Sequence, residues 1–179
     1  KVIFYWEYFH RLIARFIGLF FFIPLVYFYF TKKIKKKYIN ICLLIFFLIL
    51  LQGIIGWYMV ESGLVNVITV SHYRLSIHLS VAFLIISALF WLIKDINSKG
   101  EKLFFKISNN NLPFQFLILL IFVQIIMGAF VSGLDAGKIY QTWPMMNGDY
   151  FPNDLLLKNV NGLLNFDNHS LVQFYHRNL

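Results

Sequence analysis

Glu7-Tyr8-Phe9-His10-Arg11 stands immediately before the first long apolar run of the chain, residues 12–30. A run of this length can cross the hydrocarbon core of a bilayer as a helix. Glu7, His10 and Arg11 have i, i+3 and i+4 spacing, so a helix places them on one face. Ionisable side chains at a membrane helix are costly and usually functional, which indicates a site at this end of the segment.

The composition is that of a membrane protein, with 59% hydrophobic, 20% aromatic and only 13% charged residues among 179. A soluble domain of this size cannot bury so much apolar surface. The net charge of +8 does not indicate nucleic-acid binding, because the lysines lie between apolar runs, where membrane topology explains them. The single cysteine, Cys42, excludes an internal disulfide and a cysteine-based zinc or dithiol site. The chain does not begin with Met, so we expect it to be a piece of a longer protein.

Four apolar runs are each long enough to span roughly 30 Å of hydrocarbon as a helix, and a fifth begins near Gln173. We name them segments A (12–30), B (39–60), C (75–93), D (112–131) and E. The predicted fold class is therefore all-α, a polytopic bundle of membrane helices.

The lysines indicate which loops face the cytoplasm or the mitochondrial matrix. The A–B loop carries five lysines and the C–D loop four, whereas the B–C loop carries only Arg74. Basic residues collect in inner loops, so the A–B and C–D loops are predicted to be inside. Glu7, His10, His78 and His176 then face the opposite, periplasmic or intermembrane, side. The lysines are Lys32, Lys33, Lys35, Lys36 and Lys37 in the first loop, Lys94, Lys99, Lys102 and Lys106 in the second, and Lys138 and Lys158 in the longer D–E loop.

A second copy of the first pattern occurs as Gln173-Phe174-Tyr175-His176-Arg177, with an amide in place of the acid. The two copies are offset by 166 residues, from position 10 to position 176, and four predicted crossings separate them. An even number of crossings returns the chain in the same direction. The repeat is therefore parallel and predicts two halves related by an axis along the membrane normal.

His10 and His78 are candidate ligands of a haem iron. Each lies within about a turn of the predicted outer end of a membrane helix, and two neutral imidazoles at matched depth can bind an iron axially. The alternative is an interfacial histidine that only hydrogen-bonds a carbonyl group or water. His72 is interpreted as a loop residue, because a helix turns it roughly 240° away from His78. His169 lies in polar sequence and is interpreted as a surface residue.

Arg11, Arg15 and Arg74 are basic residues at the same predicted boundary. A guanidinium group pairs well with a haem propionate, and it also extends readily to lipid headgroups. Glu7 likewise has two interpretations. It serves as a proton acceptor or charge stabiliser at a haem edge, or it only forms an ion pair with Arg11 one turn later.

Five stretches resemble haem A synthase, in the branch shared by proteobacteria and mitochondria, and they span nearly the whole chain in order. Gly-Leu-Asp-Ala-Gly and Trp-Pro-Met are the most distinctive, since no general membrane rule predicts them. The stretches are Glu7–Arg11 with Arg15, Tyr73–Leu79, Gly133–Gly137, Thr142–Gly148 and Val172–Arg177.

The resemblance implies eight membrane helices in two similar four-helix halves. Residues 1–111 would hold three helices of the N-terminal half, which receives the substrate haem, with its first helix expected upstream. Residues 112–179 would hold helix D, an outer loop and the start of helix E of the C-terminal half, which holds haem b. Two further helices are expected downstream, the last of them carrying the partner of His176.

The resemblance also implies an oxidoreductase that converts the C8 methyl group of haem O to the formyl group of haem A for cytochrome c oxidase. Successive hydroxylations would be followed by loss of water from a geminal diol. Glu7 matches the catalytic acid, His10 and His78 the ligands of haem O, and His176 a ligand of haem b. Haem O synthase and oxidase assembly factors are the expected partners. The resemblance is also compatible with a homo-oligomer, and it leaves the electron acceptor open.

Two rival interpretations remain: a two-haem b-type electron-transfer cytochrome, and a haem carrier or assembly protein. Glu7 separates them from the enzyme, because a carrier of electrons or of haem gains nothing from an acid at the haem edge.

Overall fold

The structure, a computed structural model, describes residues 2–63, 70–97, 110–154 and 160–179. Helices α1 to α4 are long and apolar enough to span a membrane. The predicted all-α, polytopic membrane fold is therefore confirmed. The five α-helices in these ranges are α1 Val2–Thr31, α2 Lys36–Gly63, α3 His72–Asn97, α4 Leu112–Gly133 and α5 His169–Asn178, and 3₁₀ turns occur at Ala136–Lys138 and Val160–Leu164.

Helix α1 begins at Val2 rather than at residue 12 and continues past Pro24 to Thr31. The predicted segment was bounded by the charged residues at positions 7, 10 and 11, but apolar residues precede these, and the candidate membrane span runs over Phe4–Thr31. Glu7 and Arg11 therefore lie well inside α1 and not in a segment that leads into it.

Helix α5 also begins earlier than predicted, at His169 rather than near Gln173. Its first turn is capped by Asn168, whose side chain accepts a hydrogen bond from the backbone N–H of Leu171 at 3.0 Å. Asparagine is a preferred residue at this position because it satisfies an N–H group that has no partner within the helix.

The chain forms two compact units, of which the first comprises Lys1–Trp57 and Val81–Lys102. Its core contains Ile45, Ile85 and Leu92 from α2 and α3. The Lys37 ammonium group forms an ion pair with the Asp95 carboxylate at 2.5 Å and joins the same two helices. The outward faces of the membrane helices remain apolar and exposed, as expected for lipid contact.

The second unit comprises Tyr58–Ser80 and Leu103–Leu179. Met127 and Phe130 of α4 pack against Val172 of α5. Gly133, the last residue of α4, lies directly against α3: a Cβ atom at this position would be 2.7 Å from the Cα atom of His72. Glycine is required here because no side chain fits between the two backbones.

The assignment of loops to membrane sides stays a prediction. Three lysines of the C–D loop, Lys99, Lys102 and Lys106, lie outside the described residues, as does Lys158. The division into halves at residues 111 and 112 also stays a prediction.

Candidate functional site

Glu7 and Arg11 of α1 form an ion pair along the helix. The Arg11 guanidinium group donates to the Glu7 carboxylate at 3.1 Å, and their side chains are 47% and 56% exposed. His10 lies between them in sequence and is also exposed, and Arg15 follows one turn after Arg11. The predicted common face is therefore present, and the acid has the structural partner that one of its two interpretations requires.

Arg74 and His78 lie one turn apart near the start of α3, and both are partly buried. The Arg74 guanidinium group lies over the ring of Tyr58, 4.8 Å from its centroid. A cation–π contact of this kind holds a guanidinium group in place.

The predicted pairing of His10 with His78 stays a prediction. His10 belongs to the first compact unit and His78 to the second. His10 is exposed, and His78 is partly buried one turn after Arg74.

His176 is held between α5 and α4. Gln124 of α4 donates its side-chain N–H to the backbone carbonyl of His176 at 2.9 Å. One turn later, a Cβ atom at Gly128 would be 3.2 Å from Cε1 of the His176 ring, so the imidazole lies flush against the helix. Its Nδ1 atom is buried and has no hydrogen-bond partner among the residues that the structure describes. The imidazole is therefore fixed in place while one of its polar atoms is left unsatisfied.

Gln173, which replaces the acid in the second copy, is 2% exposed and fully hydrogen-bonded. Its Oε1 atom accepts from the backbone N–H of Tyr140 at 3.1 Å. Its Nε2 atom donates to the carbonyl groups of Gly137 at 3.1 Å and Tyr140 at 3.0 Å. Only an amide can accept one of these bonds and donate the other two, so this position requires glutamine and not glutamate.

Arg177 binds the same loop. Its guanidinium group donates to the carbonyl of Thr142 at 2.8 Å and also to the carbonyl of Tyr140. Gln173 and Arg177 therefore act together as a clamp from α5 onto the loop that follows α4. In α1 the corresponding residues, Glu7 and Arg11, bind each other instead.

A second polar contact ties this loop to the start of α5. The Tyr140 hydroxyl donates to Asp154 at 2.8 Å, and the Ser170 hydroxyl donates to its other oxygen at 2.6 Å. Burial acts to raise the pKa of Asp154, but the hydrogen bonds from Ser170 and Tyr140 outweigh it and hold the pKa below its ordinary value. Burial is the main cause of the raised pKa of the Tyr140 phenol. The carboxylate is thus the form that the contact requires.

His72 is not a loop residue as the sequence suggested; it is the first residue of α3 and is buried. Its ring contacts the edge of Phe130 with centroids 5.4 Å apart. Its Nε2 atom is 3.3 Å from the Asp167 carboxylate. Because Gly133 admits it so closely, His72 serves to pack α3 against α4.

Several of these roles were missed by sequence reasoning. Gly128 packs closely against His176, and nothing in the sequence around Gly128 named His176 as its partner. In the described parts of the chain, a Cβ atom at Gly18 or Gly53 would meet nothing within 4 Å. Among the described residues, no group of three or more His, Cys, Asp or Glu side chains can hold a metal ion.

The sequence model described as Cytochrome oxidase assembly protein matches residues 1–179 of this chain. The chain belongs to this family. The resemblance found in its motifs is therefore confirmed at the level of the cytochrome oxidase assembly protein family.

Curated relatives of this member of the cytochrome oxidase assembly protein family carry the name "Heme A synthase". The protein of Pelagibacter ubique is 53% identical over 177 residues, covering 99% of this chain and 52% of the relative. The protein of Nitrosospira multiformis is 43% identical over 183 residues, which cover 99% of this chain and 50% of the relative. The protein of Wolbachia pipientis is 43% identical over 180 residues, which cover 100% of this chain and 51% of the relative. The chain spans about half the length of these relatives. No solved structure gives a significant match.

Proposed function

We propose that the protein is a haem A synthase, which oxidises the C8 methyl group of haem O to a formyl group. The observation that carries this proposal is the 53% identity, over 99% of the chain, to a relative named "Heme A synthase". The matched sequence includes the stretches that hold Glu7, His10, His78 and His176, the candidate acid and the candidate haem ligands.

In this proposal haem O is held by the imidazoles of His10 and His78, and its propionates pair with Arg11, Arg15 and Arg74. Two features support it. Arg74 and His78 lie one turn apart on α3, and Glu7, His10 and Arg11 share a face of α1. Oxidation of a methyl group releases protons as well as electrons, so a base is needed beside the reacting carbon. Glu7 would accept a proton there, because a haem held by His10 passes close to a side chain one turn away.

His176 would be one of the residues that hold a resident haem b, and the haem would supply one-electron redox chemistry. Its surroundings fit this role. The imidazole is fixed against Gly128, whose missing Cβ atom gives the ring its place, and its buried Nδ1 atom lacks a partner in the described structure. The contact with Gly128 is of the kind that orients a ligating imidazole, whereas the partner that its second nitrogen normally has is not among the described residues.

The membrane arrangement follows from the same proposal. Residues 1–111 would belong to the half that binds haem O and residues 112–179 to the half that holds haem b. The histidines would face the periplasm or the intermembrane space, since the lysine-rich loops favour the inner side. Haem O synthase and oxidase assembly factors would be the partners.

The test is the Glu7→Gln variant, which keeps the size and hydrogen-bonding capacity of the side chain but removes its charge and basicity. The complete protein encoded by the reading frame is expressed, and haem B, O and A are extracted and quantified. We expect the variant to retain haem and to accumulate haem O or its hydroxylated intermediate. Glu61→Gln, at an exposed position of α2, makes the same change of charge and is the control. Normal haem A output from Glu7→Gln would refute the catalytic role.

One observation favours a second candidate, a two-haem electron-transfer cytochrome or haem carrier. Glu7 is paired with Arg11 at 3.1 Å, and a purely structural acid would be placed in this way. For that candidate Glu7→Gln changes stability only, by roughly 0 to 1 kcal/mol for an exposed pair. The haem that the wild-type protein yields would then contain no haem A.

A further inference from the structure

Two residues of α4 contact His176, and both lie on the same face of that helix. Gln124 binds the backbone carbonyl of His176 at 2.9 Å, and Gly128 lies against its ring. Because residues four apart are neighbours on a helix surface, the two contacts form one continuous seat for the histidine.

Gly128 provides the space for the ring. A Cβ atom at this position would lie 3.2 Å from Cε1, 3.8 Å from Nδ1 and 3.9 Å from Nε2 of His176. The closest of these distances is tighter than an ordinary van der Waals contact, so an alanine would push the ring away from α4 by a few tenths of an ångström. The imidazole plane is therefore set by the absence of one methyl group.

Gln124 provides the polar part of the seat. The backbone carbonyl oxygen of His176 has two lone pairs, so it can accept a hydrogen bond from Gln124 and also one from a helical N–H group. The Oε1 atom of Gln124 is buried and, like Nδ1 of His176, has no partner in the described residues. An amide oxygen can only accept, and an imidazole Nδ1–H can donate. Two complementary groups are thus left unsatisfied on residues that are already joined by the hydrogen bond from the Gln124 side chain to the His176 backbone carbonyl, and buried polar groups are rarely left so.

We propose that Gln124 and Gly128 are positioning residues for His176: Gly128 sets the plane of the imidazole, and Oε1 of Gln124 accepts a hydrogen bond from Nδ1–H, directly or through one buried water. The proton then stays on Nδ1, and Nε2 is the nitrogen that is free to ligate. The inference rests on the proposed function, in which His176 ligates haem b. It adds a consequence for the haem: an acceptor on Nδ1–H makes the imidazole more electron-rich, which favours ferric iron and lowers the midpoint potential.

The test uses the complete protein, purified with its haem, and measures haem b content, the low-spin absorption and electron paramagnetic resonance spectra, and the midpoint potential. His176→Ala comes first and should lose the haem b signal. If it retains that signal, the assignment of His176 as a ligand fails, and with it this part of the proposed function. Loss of the signal lets the remaining variants test the seat alone.

Gly128→Ala should retain haem about 10- to 100-fold more weakly, as is typical when the support of a ligand is changed, and should shift the low-spin resonance signal. Gly53→Ala adds the same methyl group to a helix where it meets no described atom within 4 Å, and should leave both readouts unchanged. Wild-type haem retention and spectra in Gly128→Ala would overturn the role of Gly128.

The two Gln124 variants should move the midpoint potential in opposite directions. Gln124→Leu removes the acceptor and should raise it, whereas Gln124→Glu supplies a stronger acceptor and should lower it. Gln115→Leu, on the same helix, is the control and should leave the potential unchanged. A merely structural role for Gln124 predicts no such reversal of sign. Shifts in the same direction, or no shift in either variant, would overturn the inference.

Discussion

Replacing Gln173 by glutamate tests how the loop after α4 is held. The amide makes three hydrogen bonds, one from the backbone N–H of Tyr140 and two to the carbonyls of Gly137 and Tyr140. Gln173→Glu preserves the size of the side chain and the bond from Tyr140 N–H. It removes both donors and places a carboxylate oxygen against carbonyl oxygens at a position that is 2% exposed.

The expected cost follows from the choices left to the new side chain. Protonating a glutamate of ordinary pKa, about 4.3, at pH 7 costs about 3.7 kcal/mol, and the acid then donates to only one carbonyl. Staying ionised draws Arg177 away from the carbonyls of Thr142 and Tyr140, to which it donates in the wild type. Allowing for partial compensation by that arginine, we expect the loop contact to weaken by about 2 to 4 kcal/mol.

The assay is tryptic cleavage after Lys138, under native conditions in detergent or nanodiscs. The scissile bond lies between Gly137 and Tyr140, the two residues that Gln173 holds, so cleavage requires the clamp to open. A weakening of about 2 to 4 kcal/mol predicts cleavage about 30- to 1,000-fold faster, since about 1.4 kcal/mol is tenfold. Gln141→Glu makes the same change at an exposed position of the same loop and should leave the rate unchanged. Equal rates in Gln173→Glu and the wild type would refute the clamp.

Two further predictions concern the second unit. Gly133→Ala should lower stability by about 1 to 3 kcal/mol, since its methyl group would overlap the α3 backbone at His72. The control is Gly18→Ala, where a methyl group meets no described atom within 4 Å, and it should not lower the thermal unfolding midpoint. Equal midpoints of Gly133→Ala and the wild type would contradict the close approach of Gly133 to His72. The lowered pKa of Asp154 means that its contact with Tyr140 and Ser170 is fully present above the ordinary pKa of about 3.9 and is lost as pH falls through the lowered value. Asp154→Asn should flatten that part of the acid unfolding curve, and an unchanged curve would show that the carboxylate contributes nothing.

The sequence predicted the membrane helices because lipid contact requires long apolar runs, and hydropathy reports such runs directly. Segment D coincided with the start of α4, where Pro113 fits the first turn of a helix. The start of α1 was misplaced because Glu7, His10 and Arg11 were read as the boundary of the apolar run, whereas apolar residues precede them in the same helix. The start of α5 carried a readable signal, the cap residue Asn168, which the apolar pattern concealed.

The candidate site was predicted as a set of residue types, and its contacts were not. Gln173 binds a loop more than 30 residues earlier in the chain, and no periodicity relates the two. The glycine at position 128 was visible, but its partner is a ring brought by another helix. Such contacts arise from tertiary packing, whereas Glu7 and Arg11 pair within one helix and follow from spacing alone.

The exchange of Glu7 for Gln173 between the two copies has a structural cause that is independent of catalysis. In α5 the neutral amide leaves Arg177 free, and both residues bind the loop after α4. An acid at position 173 would compete for Arg177 in the way that Glu7 binds Arg11. The clamp therefore explains the glutamine. Its presence beside His176 is not evidence that the second copy lacks catalytic chemistry. The case for Glu7 as a base consequently depends on the Glu7→Gln experiment and on the position of Glu7 one turn from His10, not on comparison of the two copies.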